Sequence, residues 1–281
     1  HGVMTTGRSA WQAQNLAAIR ARLERAAGAR NGILFEHDGG DHHTLVFKKG
    51  RQVLLYFGQG ARDKLALTGI MSRVDVYKPL VLLGRYTQVM MLALLWKPAP
   101  LRIYVAGFGG GRMPMILHHW FPELIIESTE IDPAIVAIAE QYFGVRLDDR
   151  MNVSSSDAFD YFANNEGRGP YDFILIDCYT GAGVQPNSVA SEEYYALCKE
   201  RLSPGGVVVA NIDLSDPALA QKSEAFTRSF AHVRRYNDGT ANVFFGSEEP
   251  LENDAIRARA DQLTQQIEFG FSFKQLAAQL R

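Results

Sequence analysis

The chain has 281 residues, a formal net charge of −2 and 47% hydrophobic residues, which excludes a disordered chain and suffices for one large domain with an attachment or two small ones. Its near-neutral balance offers no overall basic surface for nucleic acid, and with only Cys178 and Cys198 there is neither a disulfide framework nor a four-cysteine zinc site. The longest apolar run, Val89 to Trp96, is too short to cross a bilayer, so no membrane association is expected. No signal peptide is read at the start, and a cytoplasmic protein is expected. His1-Gly2-Val3 is read as foreign to a native start at Met4.

Ser9-Ala10-Trp11-Gln12 reads as a capping box, opening a helix with Leu16, Ile19 and Leu23 on one face and a stop at Gly28. From Ile33 to Phe57 the pattern becomes strand-like. Thr44–Phe47 and Gln52–Phe57, joined by Lys48-Lys49-Gly50-Arg51, predict a hairpin. Residues 58–79 read as a loop-rich connection carrying Ser72, Arg73 and Asp75. A helix is expected from about Leu82 to Trp96, ended by Lys97-Pro98-Ala99-Pro100. That proline pair is the expected boundary between an N-terminal part, 1–98, and a second domain, 99–281.

Strands are then expected at 101–106, 124–130, 151–155, 172–177 and 206–212, alternating with helices at 111–121, 132–142, 157–165, 189–202 and 215–229. This alternation predicts an α/β, doubly wound parallel sheet. Ser203-Pro204-Gly205-Gly206 marks a sharp turn before the fifth strand. Two last strands, near 231–236 and 241–246, flank Asn237-Asp238-Gly239-Thr240, whose Asp-Gly favours a hairpin and hence an antiparallel final strand. The expected fold is a seven-stranded Rossmann-like sheet of the methyltransferase type, preceded by a small N-terminal helix and β-hairpin region. The tail reads as helical, with Ile256, Leu263 and Ile267 on one face and Phe273, Leu276 and Leu280 on another.

The most informative stretch is Gly107-Phe108-Gly109-Gly110-Gly111, between the strand-like run Leu101–Ala106 and a helix. Glu130 follows at the tip of the next strand. Glycines admit a ligand that a Cβ would exclude, and a carboxylate there accepts both ribose hydroxyls. This is the pattern of a nucleoside crevice, to which Gly107, Gly109, Gly110, Gly111, Glu130 and its neighbour Ile131 are assigned. A dinucleotide motif needs a third glycine where Arg112 stands, which disfavours an oxidoreductase. A sulfonium nucleoside carries no phosphate and tolerates this loop. Asp157-Ala158, after the third strand, suits the adenine amino group, and Asp157 equally suits a helix cap. Asp177 ends the fourth strand, facing the crevice. Asp132 fits the N-cap before Pro133.

Other residues carry plainer readings. His37-Asp38-Gly39-Gly40-Asp41-His42-His43 reads as a turn between extended segments, and no metal site is expected. His118-His119 stands near a helix C-terminus, where imidazoles meet the helix dipole. Cys178 reads as a small buried residue.

Taken together, the run from Gly107 to Asp132-Pro133, Asp157-Ala158 and Tyr171–Asp177 resembles the spermidine synthase-like (polyamine aminopropyltransferase-like) branch of the class I S-adenosylmethionine-dependent methyltransferase superfamily. The resemblance covers roughly residues 44–246. It implies that Glu130 holds the ribose, Asp157 and Ala158 the adenine, and that Asp177 sits beside the reacting amine. The implied cofactor is S-adenosylmethionine or decarboxylated S-adenosylmethionine, and the implied partner a small-molecule amine acceptor. A homodimer through the N-terminal hairpin is left open. The catalytic set is Asp177 with Tyr179 and Tyr86. Three acids of the family pattern are missing: Gly110 stands for the aspartate of the first loop, Thr180 for the second aspartate after the fourth strand, and Gln88 for the glutamate of the N-terminal helix. Aminopropyl transfer, methyl transfer to a non-polyamine acceptor, and an inactive nucleoside-binding homologue all stay open.

Overall fold

A computed structural model describes residues 2–39, 43–59 and 66–281. The first helix, α1, spans Gly2–Ala27. It runs through Ser9, so the expected capping box is not used: an N-cap needs non-helical backbone, and Ser9 is internal. The stop at Gly28 holds, its N–H reaching Glu24 O at 3.1 Å.

Strands β1 (Gly32–Asp38), β2 (His43–Lys49), β3 (Gln52–Gln59) and β4 (Ala66–Asp75) form an antiparallel sheet in that order. The expected hairpin is β2–β3, turning at Gly50-Arg51. The loop expected over 58–79 is instead largely β4. Its pairing with β3 shifts register between Leu55 and Tyr56 and again between Tyr56 and Gly58. Such shifts break the period-2 pattern by which a strand is read. Of the segment between β1 and β2, Gly40, Asp41 and His42 lie outside the described residues; His43 Nε2 stands 2.7 Å from Glu36 Oε1.

The helix expected from 82 to 96 begins later. It is α2 (Arg85–Met90), continued as a 3₁₀ turn over Met91–Leu95, whose five residues are all buried. Then come β5 (Arg102–Ala106), α3 (Arg112–Trp120), β6 (Ile125–Thr129), α4 (Pro133–Tyr142), β7 (Met151–Ser154), α5 (Ala158–Ala163), β8 (Tyr171–Ile176), α6 (Glu192–Lys199), β9 (Leu202–Asn211), α7 (Leu219–Ser229), β10 (His232–Asn237), β11 (Asn242–Ser247), α8 (Asn253–Gln266) and α9 (Phe273–Ala278). The helix expected over 189–202 is broken because Ser191 caps α6, its Oγ accepting from Tyr194 N at 3.2 Å. The turn expected at 203–206 lies within β9, between the pairs Tyr171↔Leu202 and Phe173↔Val207.

The seven-stranded sheet runs β10-β11-β9-β8-β5-β6-β7. Five strands are parallel, and β11 is antiparallel to both β9 and β10, as the Asp-Gly turn predicts. Both faces are covered, so alternate residues enter two cores. Ile103, Val105, Phe173, Leu175, Val207 and Val209 join the side packed by α1, α3, α4, α8 and α9. Tyr104, Ile174, Ile176, Val208 and Ala210 join the side packed by α5, α6 and α7. Both apolar sets expected in the tail are buried.

Strand order reverses between β5 and β8, and there their ends are pressed together. A Cβ on Gly107, at φ +84°, would lie 2.4 Å from the Asp177 carbonyl oxygen. Gly239 has a similar φ of +85° but open space around it. Gly107→Ala should therefore cost about 3 kcal/mol or more, and Gly239→Ala only about 1 kcal/mol, in urea unfolding. Equal losses would show that backbone conformation, rather than the strand contact, sets the cost.

Candidate active site at the carboxyl edge of the sheet

Backbone hydrogen bonds tie the strand ends beneath the glycine loop. Gly107 N donates to Thr129 O at 3.0 Å, Asp177 N to Ala106 O at 2.8 Å, and Glu130 N to Ser154 O at 3.0 Å. Three loops thereby converge on the edge where ligands bind in this sheet class.

Two adjoining cavities open there. The first group of lining residues includes Glu130, Ile131, Asp132, Ser156, Asp157, Ala158, Cys178, Tyr179 and Val189. Glu130 Oε1 accepts from Phe108 N at 3.3 Å and Gly109 N at 3.4 Å, and Oε2 from Asp132 N at 3.2 Å. Burial raises its pKa, and those amides pull it part of the way back. Ile131 is 68% exposed, an apolar surface beside the carboxylate. Asp157 caps α5, its Oδ1 accepting from Phe159 N at 2.9 Å and Asp160 N at 3.1 Å, while the residue still borders the cavity. Asp132 caps α4 through Ala134 N at 2.9 Å, as its sequence position predicts. Burial and the nearby carboxylates raise the Cys178 thiol well above its usual range, so it stays protonated.

The second cavity lies between β4, α2 and α3 and is bordered by Arg73, Arg85, Tyr86, Arg112 and Thr240. Met71, Ser72, Gly107 and Asp177 border both cavities. Asp177 is therefore at their junction. Burial pushes its carboxyl up to about 7; the Tyr179 and Tyr86 hydroxyls oppose that rise and the Glu130 charge adds to it. Neither hydroxyl completes a hydrogen bond to Oδ1, which is buried and unpartnered. Instead Tyr179 Oη accepts from Asn211 Nδ2 at 2.6 Å, and Tyr86 Oη donates to Met71 O at 3.3 Å. The two rings stand 6.0 Å apart, edge to face.

Gly110 and Gly111 are placed differently from Gly107 and Gly109. They border neither cavity. A Cβ on Gly110 would lie 2.7 Å from Ser72 Cβ, and one on Gly111 2.7 Å from Val145 Cγ2. Gly110 N donates to Ser72 Oγ at 2.9 Å. Thus β4 of the N-terminal sheet seats the loop. The sequence reading placed Ser72 and Arg73 in a loop and gave them no site role. A buried ion pair was also missed: Lys222 Nζ is 2.6 Å from Asp216 Oδ2 and 2.6 Å from Gln185 O. It fastens the loop after β8, whose Pro186, Ser188 and Val189 wall the first cavity. In sequence only an aspartate and a lysine six positions apart mark it, with nothing to tie them to Gln185, 37 positions away.

His118 and His119 do sit in the last turn of α3, but burial lowers both pKa values, His119 to about 4. They are neutral hydrogen-bonding groups, to Asp148 Oδ2 at 2.7 Å and Asn15 Nδ2 at 3.1 Å, rather than cations on the helix dipole. Among the described residues no three metal-ligating side chains cluster, and no helix is long and apolar enough to cross a membrane.

This sheet order, with its glycine loop and strand-end acids at the reversal, defines a class I methyltransferase-like fold. Residues 86–213 match the spermine/spermidine synthase domain. A polyamine aminopropyltransferase of Vibrio vulnificus is 32% identical over 73% of this chain and 63% of its own length. The Homo sapiens eEF1A lysine and N-terminal methyltransferase is 32% identical over 55% of this chain and 24% of its own. The chain thus spans less than two thirds of either relative. Human methyltransferase-like protein 13, solved in complex with SAH, superposes with a TM-score of 0.59 at 26% identity, over 66% of this chain and 92% of that one. The chain thus carries a match to the spermine/spermidine synthase domain over residues 86–213 and is similar both to polyamine aminopropyltransferases and to S-adenosylmethionine-dependent methyltransferases.

Asp177 yields a stability prediction whose sign follows from its raised pKa. Its proton stabilises the fold fully below the unfolded value of about 4, and that stabilisation is lost as pH rises through about 7. Asp177→Asn removes the buried charge, so it should melt above the wild type at pH 8 and level with it near pH 4. A variant that melts lower at pH 8 would show that the carboxylate is stabilised where it stands.

Proposed function

We propose that the first cavity holds an adenosyl sulfonium compound and that the protein transfers an alkyl group from it to an amine. Of the two chemistries, methyl transfer from intact S-adenosylmethionine is the better supported. The observation that carries this is Ser72 beneath Gly110. The family places there an aspartate for the amino group of the decarboxylated cofactor. Here any Cβ would meet Ser72 Cβ at 2.7 Å, so β4 leaves that acid no room. The similar human domain solved with SAH supports the same choice. The spermine/spermidine synthase domain match and the Vibrio relative support aminopropyl transfer as the second reading.

The residues fit such a cofactor. Glu130 offers carboxylate oxygens to the ribose, Ile131 an apolar face to the base, and Asp157 with Ala158 the adenine edge. The unpartnered Asp177 Oδ1 calls for a cation or a donor. When bound, the sulfonium supplies an electrophilic carbon on a good leaving group. The protein then has to align the nucleophile at near-attack distance. An amine attacks only when neutral, and free amines are mostly protonated at neutral pH. Asp177, with its carboxyl near 7, orients the amine and takes its proton. Tyr86 and Tyr179 shape the walls around it.

Separate calorimetric titrations with S-adenosylmethionine and its decarboxylated form test the cofactor. Product mass then separates S-adenosylhomocysteine from methylthioadenosine. Glu130→Gln should weaken nucleoside binding about tenfold or more, through loss of charge-assisted hydrogen bonds. Asp177→Asn should lower kcat about 100-fold, leave nucleoside affinity within about twofold, and abolish a rise of kcat/KM with pH through about 7. Failure of every adenosyl sulfonium and thioether to bind would end this reading.

A further inference from the structure

We propose that the second cavity contains a carboxylate-binding subsite, formed by Arg73 with Arg112 and Arg85, beside the reacting centre. This rests on the reading of the first cavity as an adenosyl sulfonium site.

The lining charges are unequal. Three arginines, Arg73, Arg85 and Arg112, face one acid, Asp177. A site for a polyamine needs the reverse, because a polycation is repelled by guanidinium groups and held by carboxylates. Arg73 is half-buried, and its side chain makes no hydrogen bond or ion pair among the described residues. Its charge acts on the Tyr86 hydroxyl, the same group that acts on Asp177. Arg112 is 5% exposed and has no carboxylate partner. It donates to the carbonyls of Pro79 and Phe143, and its Nε is buried and unpartnered. Arg85 is more exposed and spends part of its charge on Asp238, 3.7 Å away. Asp177 does not neutralise the group either: among the described residues no ion pair within 4.0 Å joins it to Arg73, Arg85 or Arg112.

A guanidinium held partly out of water without a counter-charge is costly, and a carboxylate is the planar anion that matches its paired donors. Two sources can bring that group here. One is the amino-acid end of S-adenosylmethionine, which the decarboxylated cofactor lacks. The other is an acceptor that carries a carboxylate as well as its amine.

Calorimetry on the full chain separates them. Wild type, Arg73→Gln and Arg73→Lys are titrated with S-adenosylhomocysteine and with methylthioadenosine, which has no amino-acid end. They are then titrated with 5-aminovalerate and with putrescine, both with and without saturating nucleoside. If the cofactor supplies the carboxylate, Arg73→Gln weakens S-adenosylhomocysteine about tenfold or more and leaves methylthioadenosine unchanged. If the acceptor supplies it, both nucleosides bind as before, while 5-aminovalerate is weakened about tenfold and putrescine is not. In either case Arg73→Lys retains part of the affinity, and unchanged thermal melting shows that the variants are folded. The proposal is overturned if neither S-adenosylhomocysteine nor 5-aminovalerate depends on Arg73. Absence of all nucleoside binding by the wild type would instead sink the cofactor reading, and 5-aminovalerate on the nucleoside-free protein would still report on the arginine.

Discussion

The site depends on one close approach, that of the β5 and β8 strand ends. Gly107 passes over the Asp177 carbonyl with no room for a Cβ, and Asp177 N hydrogen-bonds back to Ala106 O at 2.8 Å. Because strand order reverses here, the loops after β5 and β8 leave in opposite directions and open a crevice between them. Glu130 reaches that crevice from the neighbouring strand β6. A bulkier residue at 107 would separate the strand ends and, with them, the two carboxylates.

Asp177 is the site's least comfortable residue. It has a buried oxygen with no partner, a carboxyl near 7, and a second acid close enough to raise it further. Groups of this kind destabilise a fold and persist where a ligand or a reaction resolves them. The buried Asp216–Lys222 pair differs, because each charge faces the other at 2.6 Å and Lys222 also fixes Gln185 O. Its work is to hold the loop that walls the first cavity.

The N-terminal sheet is part of the site rather than an appendage to it. Through Ser72, β4 supports the glycine loop and occupies the space over Gly110. Through Arg73 it brings positive charge to the cavity beside Asp177. The turn between β10 and β11 closes the same cavity from the far side, where Asp238 stands 3.7 Å from Arg85. The three acids of the family pattern that this chain lacks are thus accompanied by a changed surrounding, basic where a polyamine site would be acidic.

Much of the large sheet was legible because it is built from short-range signals. Apolar runs of strand length, the glycine loop, the Asp-Gly hairpin and the Asp132-Pro133 start of α4 each depend only on neighbouring residues. The convergence of Glu130, Asp157 and Asp177 followed from a general rule about strand ends. The N-terminal sheet was read incompletely, because the register shifts opposite β4 hide its alternation and a serine and an arginine in an apparent loop carry no pattern. Ser72 under Gly110, the three arginines around one aspartate, and Lys222 on Gln185 join residues 37 positions apart or more in sequence. Residue type and local spacing therefore determined the sheet and the acids at its edge. Only the folded chain decided which charges surround them, because that follows from how separate layers pack together.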